Sequence, residues 1–480
     1  MTTTKIPSPT SHVRFGHARA DITPPVGIYH RLWGAARHDR STGVHRPLFG
    51  DVMVFMPVDG STRTLIRAQL DLCGLVRGQH DDLTRALSEA GGVSPDHVVI
   101  TYSHTHSSGW FVPDRLGFPG GELILPYLQE LRSKLQDTCR RALASVQEVY
   151  IAYASGRCDM AANRDGYDDA LGGHVCGFNP DATADETVLV GRITAPSGGL
   201  CGTLVNYACH PTTLAWENTL ISPDYVGAMR EEVERATGAS CVFLQGACGD
   251  LGPKEGFVGD GAVADRNGRQ LAHAALSALA SLGPPGTDFA YQGPVISGAT
   301  LGAWARVPFS DERLRQVSRF SGGAFSVNLP LKPRPDRASL QTDLERWEAR
   351  QLEADDAGDA VAARDCGARA ERARRWLARL TDLPDGPTCP VQFSVHRLGD
   401  AVWVTSGGEP YNVLQVELRR RFPGLPLLFS PLASGLQVAY LLPRDRYGRG
   451  LYQEEPSPLA PGCLERLTEA IAEKIEEIAK

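Results

Sequence analysis

Ser103-His104-Thr105-His106 places two imidazoles one residue apart at the end of the apolar run His97–Tyr102. The run reads as a buried strand. Side chains alternate along a strand, so its continuation would turn 104 and 106 to one side. Two neighbouring imidazoles can bind a metal through neutral ring nitrogens or carry protons. They can equally be polar loop histidines with ordinary hydrogen bonds, and the motif alone does not separate these readings. Three other segments carry ligand-type residues after apolar runs: Asn206 to Pro211 with His210, Gln245 to Asp250, and Gly407-Gly408-Glu409. Open α/β sheets gather their sites at the C-terminal ends of strands. Two histidines and one carboxylate are a usual ligand set for a catalytic zinc that keeps a position open. Ligands so far apart in sequence carry no spacing code.

The elements that must position these loops follow from periodicity. Strands are expected at 52–58, 63–70, 97–102, 200–209 and 241–245, with helices at 81–90, 126–145, 224–237 and 269–282. Further on, 391–398 and 401–405 read as a hairpin turned at Gly399-Asp400, and 463–479 as a C-terminal helix. Strand and helix alternate, so the fold class is α/β: a layered, mixed sheet flanked by helices. Residues 338–380 differ. Leu340, Leu344, Trp347 and Leu352 share one helical face, as do Ala370, Ala373, Trp376, Leu377 and Leu380, with Gly358 between the two sets. Two antiparallel amphipathic helices are expected there, inserted at about 336–382, either packing on the domain or serving as a lid or subunit contact. Residues 1–12 read as a flexible tail, and 13–480 as one catalytic domain.

Bulk composition narrows the function. The chain has 480 residues, 42% apolar and 22% charged, with net charge −7. That balance gives no reason to expect nucleic acid or an anionic membrane as partner. No apolar stretch is long enough to span a bilayer, and the first residues lack the apolar core of a signal peptide. Eleven cysteines without CxxC spacing suggest reduced thiols, hence a cytoplasmic protein. Cys248 reads as a small loop residue or a reactive thiol. Tyr440, inside Val438–Leu442, reads as a core tyrosine when taken alone. Arg164 reads as a surface partner of Asp165 or Asp168. Asp21 and Asp250 read as turn ties, and His45 as either a site or a loop residue.

Several motifs together carry a family resemblance. Gly16 to Gly27, Gly43 to Leu48, Asp71-Leu72-Cys73-Gly74, Ser103 to Ser107, Asn163-Arg164, Asn206 to His210, Ser222 to Gly227 and Gln245 to Pro253 occur in this order. The chain resembles the catalytic domain of the neutral/alkaline non-lysosomal ceramidases, with gaps, from about residue 14 to residue 455. The resemblance implies one Zn²⁺ held by His104, His210, Glu409 and Tyr440. It implies His106 and Arg164 as the pair that orients substrate, and Tyr452 as a substrate contact. The implied reaction is hydrolysis of an amide, N-acyl bond by metal-activated water.

The chain departs from that family's pattern at several points. Ser108-Gly109-Trp110-Phe111 replaces the usual Gly-Pro-Gly-Gly run, and Gly407-Gly408-Glu409 replaces Pro-Gly-Glu. The segment 338–380 and the lack of an immunoglobulin-like C-terminal region are further differences. A small or medium soluble N-acyl compound is therefore the expected small-molecule partner, with no stable membrane insertion and with a homo-oligomer possible. Ceramide hydrolysis, an esterase or lactonase using the same chemistry, and a non-catalytic binding module stay open.

Overall fold

The computed structural model describes residues 4–436 and 438–479. Eight strands form one mixed sheet in the order Cys241–Gln245, Leu200–Tyr207, Thr187–Thr194, Gln147–Arg157, Thr10–Asp21, Phe49–Met56, Leu65–Leu70, Val98–Tyr102. The outermost pair at each end is parallel, and the pairs between are antiparallel. Parallel strands covered on both faces read as continuous apolar runs. That is why the strands followed by His104 and His210 stand out in the sequence.

A smaller sheet joins Phe320–Pro330, Thr388–Leu398, Ala401–Ser406 and Leu427–Ser430. Its inner face packs on the large sheet. The Phe55 and Trp403 rings lie 5.3 Å apart, and Val13, Leu244 and Leu428 fill the same core. Helices Arg77–Gly91 and Ile124–Ala144 cover one half of the large sheet's outer face. Tyr225–Thr237 and Gly261–Ala280 cover the other half. Val413–Arg421 and Cys463–Ala479 cover the outside of the small sheet. The layers are therefore helix, sheet, sheet, helix, and the fold is α/β as expected. The large sheet curls until its two edge strands, Val98–Tyr102 and Cys241–Gln245, touch. The curl brings the loops that follow the outer strands to one place. Among the described residues no helix is long and apolar enough to cross a membrane, and the eleven cysteines are all free thiols.

Two expectations need correction. Residues 5–6 and 10–12 are not a loose tail. Lys5–Ile6 pairs with Thr287–Ser297, and Thr10 opens a central strand of the large sheet. The polar residues of this segment are satisfied internally: Ser11 Oγ donates to Leu398 O at 2.5 Å and meets Tyr153 Oη at 2.9 Å. Residues 1–3 lie outside the described residues. The helical pair is present as Arg337–Asp356 and Ala360–Asp382, joined through Gly358 at φ 70°. Arg337 near its start donates to Thr381 near its end, so the helices are antiparallel. The apolar face expected on the second helix is buried at Ala370, Ala373 and Trp376, together with Ala363 and Cys366, whereas the one expected on the first helix is not: Leu352 is 66% exposed.

A buried charge cluster ties that second helix to the body. Glu371 accepts from Arg115 Nη2 at 2.6 Å, Arg375 Nε at 2.8 Å and Arg374 Nη1 at 3.0 Å. Burial alone would raise its carboxyl pKa, but Arg375, Arg115 and Arg374 hold it at about 2. Removing one member of a buried pair leaves a charge unpaired and costs ~3–5 kcal/mol. Glu371→Ala is therefore expected to lower the unfolding free energy by about that amount at neutral pH, read by denaturant titration. The folded carboxyl titrates below its unfolded value of 4.5. The contribution is thus complete above that pH and fades as pH falls towards 2. Wild type and variant should converge over that interval; a difference unchanged by acid would remove the ionic explanation.

Candidate metal centre

The strand ahead of His104 stops at Tyr102, and His104 itself has φ 68°. The strand therefore does not continue through 104–106, and simple alternation does not orient the pair. A non-glycine residue in the left-handed region costs ~1–3 kcal/mol and persists where its surroundings hold it. Here the His104 backbone N–H donates to Leu72 O at 3.0 Å, and its ring Nδ1 donates to Cys73 O at 2.5 Å. The turn still brings the two rings together, with centroids 4.9 Å apart.

His210 comes from the loop after Leu200–Tyr207. Its Nδ1 donates to Cys248 O at 2.6 Å. Each imidazole thus commits its Nδ1 proton to a main-chain carbonyl. The Nε2 lone pairs face Glu409 Oε2, at 3.3 Å from His104 and 3.1 Å from His210. Glu409 is held by a two-residue parallel pairing, Glu409–Pro410 with Tyr440–Leu441. Its N–H donates to Ala439 O at 2.8 Å. Gly408 before it has φ 72°, and a Cβ there would lie 2.6 Å from Leu441 Cδ1 and 2.9 Å from Ala439 O. Glycine is required at that position. His104 is 2% exposed, His210 0% and Glu409 7%.

The chemistry of this donor set fits a small cation. The three facing atoms lie within 4.8 Å of one another, and with both Nδ1 protons committed none of them offers a proton to the others. Converging lone pairs repel unless a positive charge sits among them. An imidazole whose other nitrogen is bonded to a carbonyl is the usual arrangement for a metal ligand. Cys73, His104 and His106 form a second possible group. It fits less well, because Cys73 Sγ lies 3.6 Å from His104 Nδ1, the nitrogen already bonded to Cys73 O.

Around these three stand the other residues expected from the sequence. Arg164 is buried, with Nη2 donating to Gly249 O at 2.9 Å and to Tyr440 Oη at 3.1 Å and lying 3.5 Å from His210 Nε2. It does not pair with Asp165, which accepts from Gln453 Nε2 at 2.9 Å and Tyr411 Oη at 3.2 Å. Tyr440 is buried, its ring centroid 6.2 Å from His210 and 5.9 Å from Tyr452. His106 is half-buried against Trp33, 5.2 Å between centroids, and its Nδ1 has no partner among the described residues. Tyr452 is 48% exposed. His104, His106, Arg164, Glu409, Tyr440 and Tyr452 all line one cavity of about 1340 Å³, with His210 behind them.

Other candidates settle elsewhere. Asp21 accepts from Thr23 N at 2.8 Å and ties its own turn, as expected, whereas Asp250 accepts from Asn412 N at 2.6 Å and joins two loops distant in sequence instead of tying a turn. His45 meets Ser222 Oγ at 2.9 Å and Asp265 at 3.3 Å, which holds its loop. Burial pushes the Cys248 thiol up to about 12, so it stays protonated at neutral pH. Sequence reasoning missed the carbonyls of Cys73 and Cys248, which no residue type announces. It also missed Trp33, Trp216 and Phe257, aromatic loop residues that wall the cavity.

No family model matches the chain. It is 24% identical over 259 residues to the neutral ceramidase of Pseudomonas aeruginosa (strain PAO1), a match covering 50% of this chain and 37% of that protein. The match thus spans little more than a third of the relative's length. The crystal structure of neutral ceramidase from Pseudomonas aeruginosa superposes with a TM-score of 0.63 at 18% identity, covering 98% of this chain and 74% of that one. A ceramidase complexed with C2 gives 0.64 at 18% identity, covering 98% and 76%. Taken together, the sequence match and the shared fold make the chain similar to neutral ceramidases.

Proposed function

We propose that the chain is a zinc-dependent hydrolase of an amide bond in an N-acyl compound. The observation that carries this reading is the convergence of His104 Nε2, His210 Nε2 and Glu409 Oε2 beside a large cavity that His104 and Glu409 line. His104, His210 and Glu409, with Tyr440 as a fourth donor, would hold one Zn²⁺, which when bound lowers the pKa of water towards neutrality and polarises a carbonyl. The protein's own groups do the rest. His106 Nε2 lies 3.4 Å from His104 Nε2 and borders the cavity, where it takes a proton from the attacking water and returns it to the leaving nitrogen. Arg164 and the Tyr452 hydroxyl donate to the carbonyl oxygen as charge builds on it. Surrounding aromatic side chains exclude bulk water. The products are an amine and a carboxylate.

The preferred substrate in this reading is a small or medium soluble N-acyl compound. A second reading, ceramide hydrolysis, is supported by the name of the matched relative and by a cavity larger than the ~300–1,000 Å³ common for small ligands. Elemental analysis of the purified protein and a panel of N-acyl amines of graded chain length, run beside ceramide in detergent micelles, tests both. One zinc per chain with higher kcat/KM on the soluble amides supports the first reading. Efficient ceramide cleavage with inert short amides selects the second. A metal-free chain inactive on all of them overturns the hydrolase reading.

A further inference from the structure

Helix Ala360–Asp382 forms the cavity wall with Arg375 and Arg379, four residues and so about one turn apart. The two arginines are in different situations. Arg375 donates to Glu371 Oε1 at 2.8 Å and to Leu32 O. The other cations lining the cavity are also engaged. Arg115 binds Glu371 at 2.6 Å, Arg372 binds Glu455 at 2.5 Å, and Lys332 donates to Glu454 O at 2.7 Å. Arg164 is bonded to Tyr440 and Gly249. Arg379 has no side-chain hydrogen bond or ion pair among the described residues, and its Nε is buried. Its guanidinium lies 5.0 Å from the Trp376 ring centroid. The acid that acts most strongly on it, Glu455, is occupied by Arg372 and by Trp376 Nε1 at 2.7 Å.

A guanidinium stays charged at neutral pH even where burial lowers its pKa. Leaving it half-buried without an acceptor is costly. An aromatic ring beside it restricts its movement, and its planar fork matches a carboxylate in a two-point contact. The same helix is fastened through Glu371, so the guanidinium is presented from a rigid element.

We propose that Arg379 is an anion-recognition subsite, and that the substrate carries a carboxylate, or a sulfonate or phosphate in its place, at a distance from the amide. An N-acyl amino acid is the simplest compound of this class. The identity of the amide rests on the hydrolase reading above; the subsite itself does not.

The test compares three amides of one chain length: N-octanoylglycine, N-octanoyl-ethylamine, and the mono-ethylamide of suberic acid, which carries its charge on the acyl side. Wild type should favour at least one anionic amide over the neutral one by about 10- to 100-fold in kcat/KM, the worth of a charged hydrogen bond. Arg379→Ala should remove that preference and leave the neutral amide unchanged, and Arg379→Lys should restore part of it. Octane-1-sulfonate, which has no bond to cleave, should bind wild type more tightly than octanol does by calorimetry. It should lose about 10-fold or more in Arg379→Ala. Because the Arg379 side chain has no hydrogen bond or ion pair among the described residues and only a ring contact with Trp376, the variant should melt close to the wild type. Cleavage of the amides without an Arg379-dependent preference overturns the subsite and leaves the hydrolase. Arg379-dependent sulfonate binding with no amide cleaved does the reverse.

Discussion

His210→Ala is expected to purify without its metal and without amide hydrolysis, yet to remain folded. His210 is fully buried and supplies one of the three facing donor atoms. With two donors left, affinity should fall by more than the ~10–100-fold typical of losing a supporting hydrogen bond to a ligand. The fold does not depend on the centre, because separate cores under the helices and between the sheets hold the layers. The local cost is one lost hydrogen bond, ~0.5–1.5 kcal/mol, and a small void, because the Cys248 carbonyl still accepts from Leu251 N at 3.0 Å. Elemental analysis, an activity assay and a melting curve on the same sample read all three effects. Stoichiometric metal in the variant would rule out the proposed ligand set.

His106→Ala should behave differently, keeping its metal while losing ~10²–10⁴-fold in kcat, the usual range for a general acid or base. The reason lies in how the imidazoles are held. His104 and His210 are each locked through Nδ1 by a main-chain carbonyl, which presents Nε2 to Glu409. His106 has no such lock: its Nδ1 is unpartnered among the described residues and its ring rests on Trp33 at the cavity wall. A ring with its Nδ1 unpartnered among the described residues and its Nε2 only 3.4 Å from His104 Nε2 is suited to exchanging protons, and its removal leaves the three facing atoms in place. Metal content and single-turnover rates on both variants separate the roles. Equal metal loss in the two would mean that His106 is itself a ligand.

Much of the framework was legible from local pattern. The strands at 98–102 and 241–245 and the helix at 463–479 have strong apolar periodicity and were read to within a residue. The hairpin turn at Gly399-Asp400 was legible because Gly399 takes φ 58°. Other elements were hidden. Thr10–Asp21 lies in the middle of the large sheet, but its His, Arg and Ser residues look like surface until hydrogen bonds such as Ser11 to Leu398 and His17 to Asp51 are seen. Gln147–Arg157 and Thr187–Thr194 likewise escaped notice, although they bridge the two halves of the sheet.

By itself, the sequence determined the residue types available for chemistry and their attachment to strand ends. It also determined the α/β class, because periodicity and turn residues act over a few positions and survive in any context. Only the tertiary structure decided which of those residues meet. His104, His210 and Glu409 come from three loops on two sheets, joined by the curl of the large sheet and the packing of the small sheet on it. Neither event leaves a spacing in the chain. The imidazole tautomers are set by the carbonyls of Cys73 and Cys248, a group every residue carries. The pairing of Arg375 and the lack of a partner at Arg379, among the described residues, follow from where one helix docks. A pattern of charges read along the chain cannot distinguish a satisfied arginine from an available one, because that depends on neighbours distant in sequence.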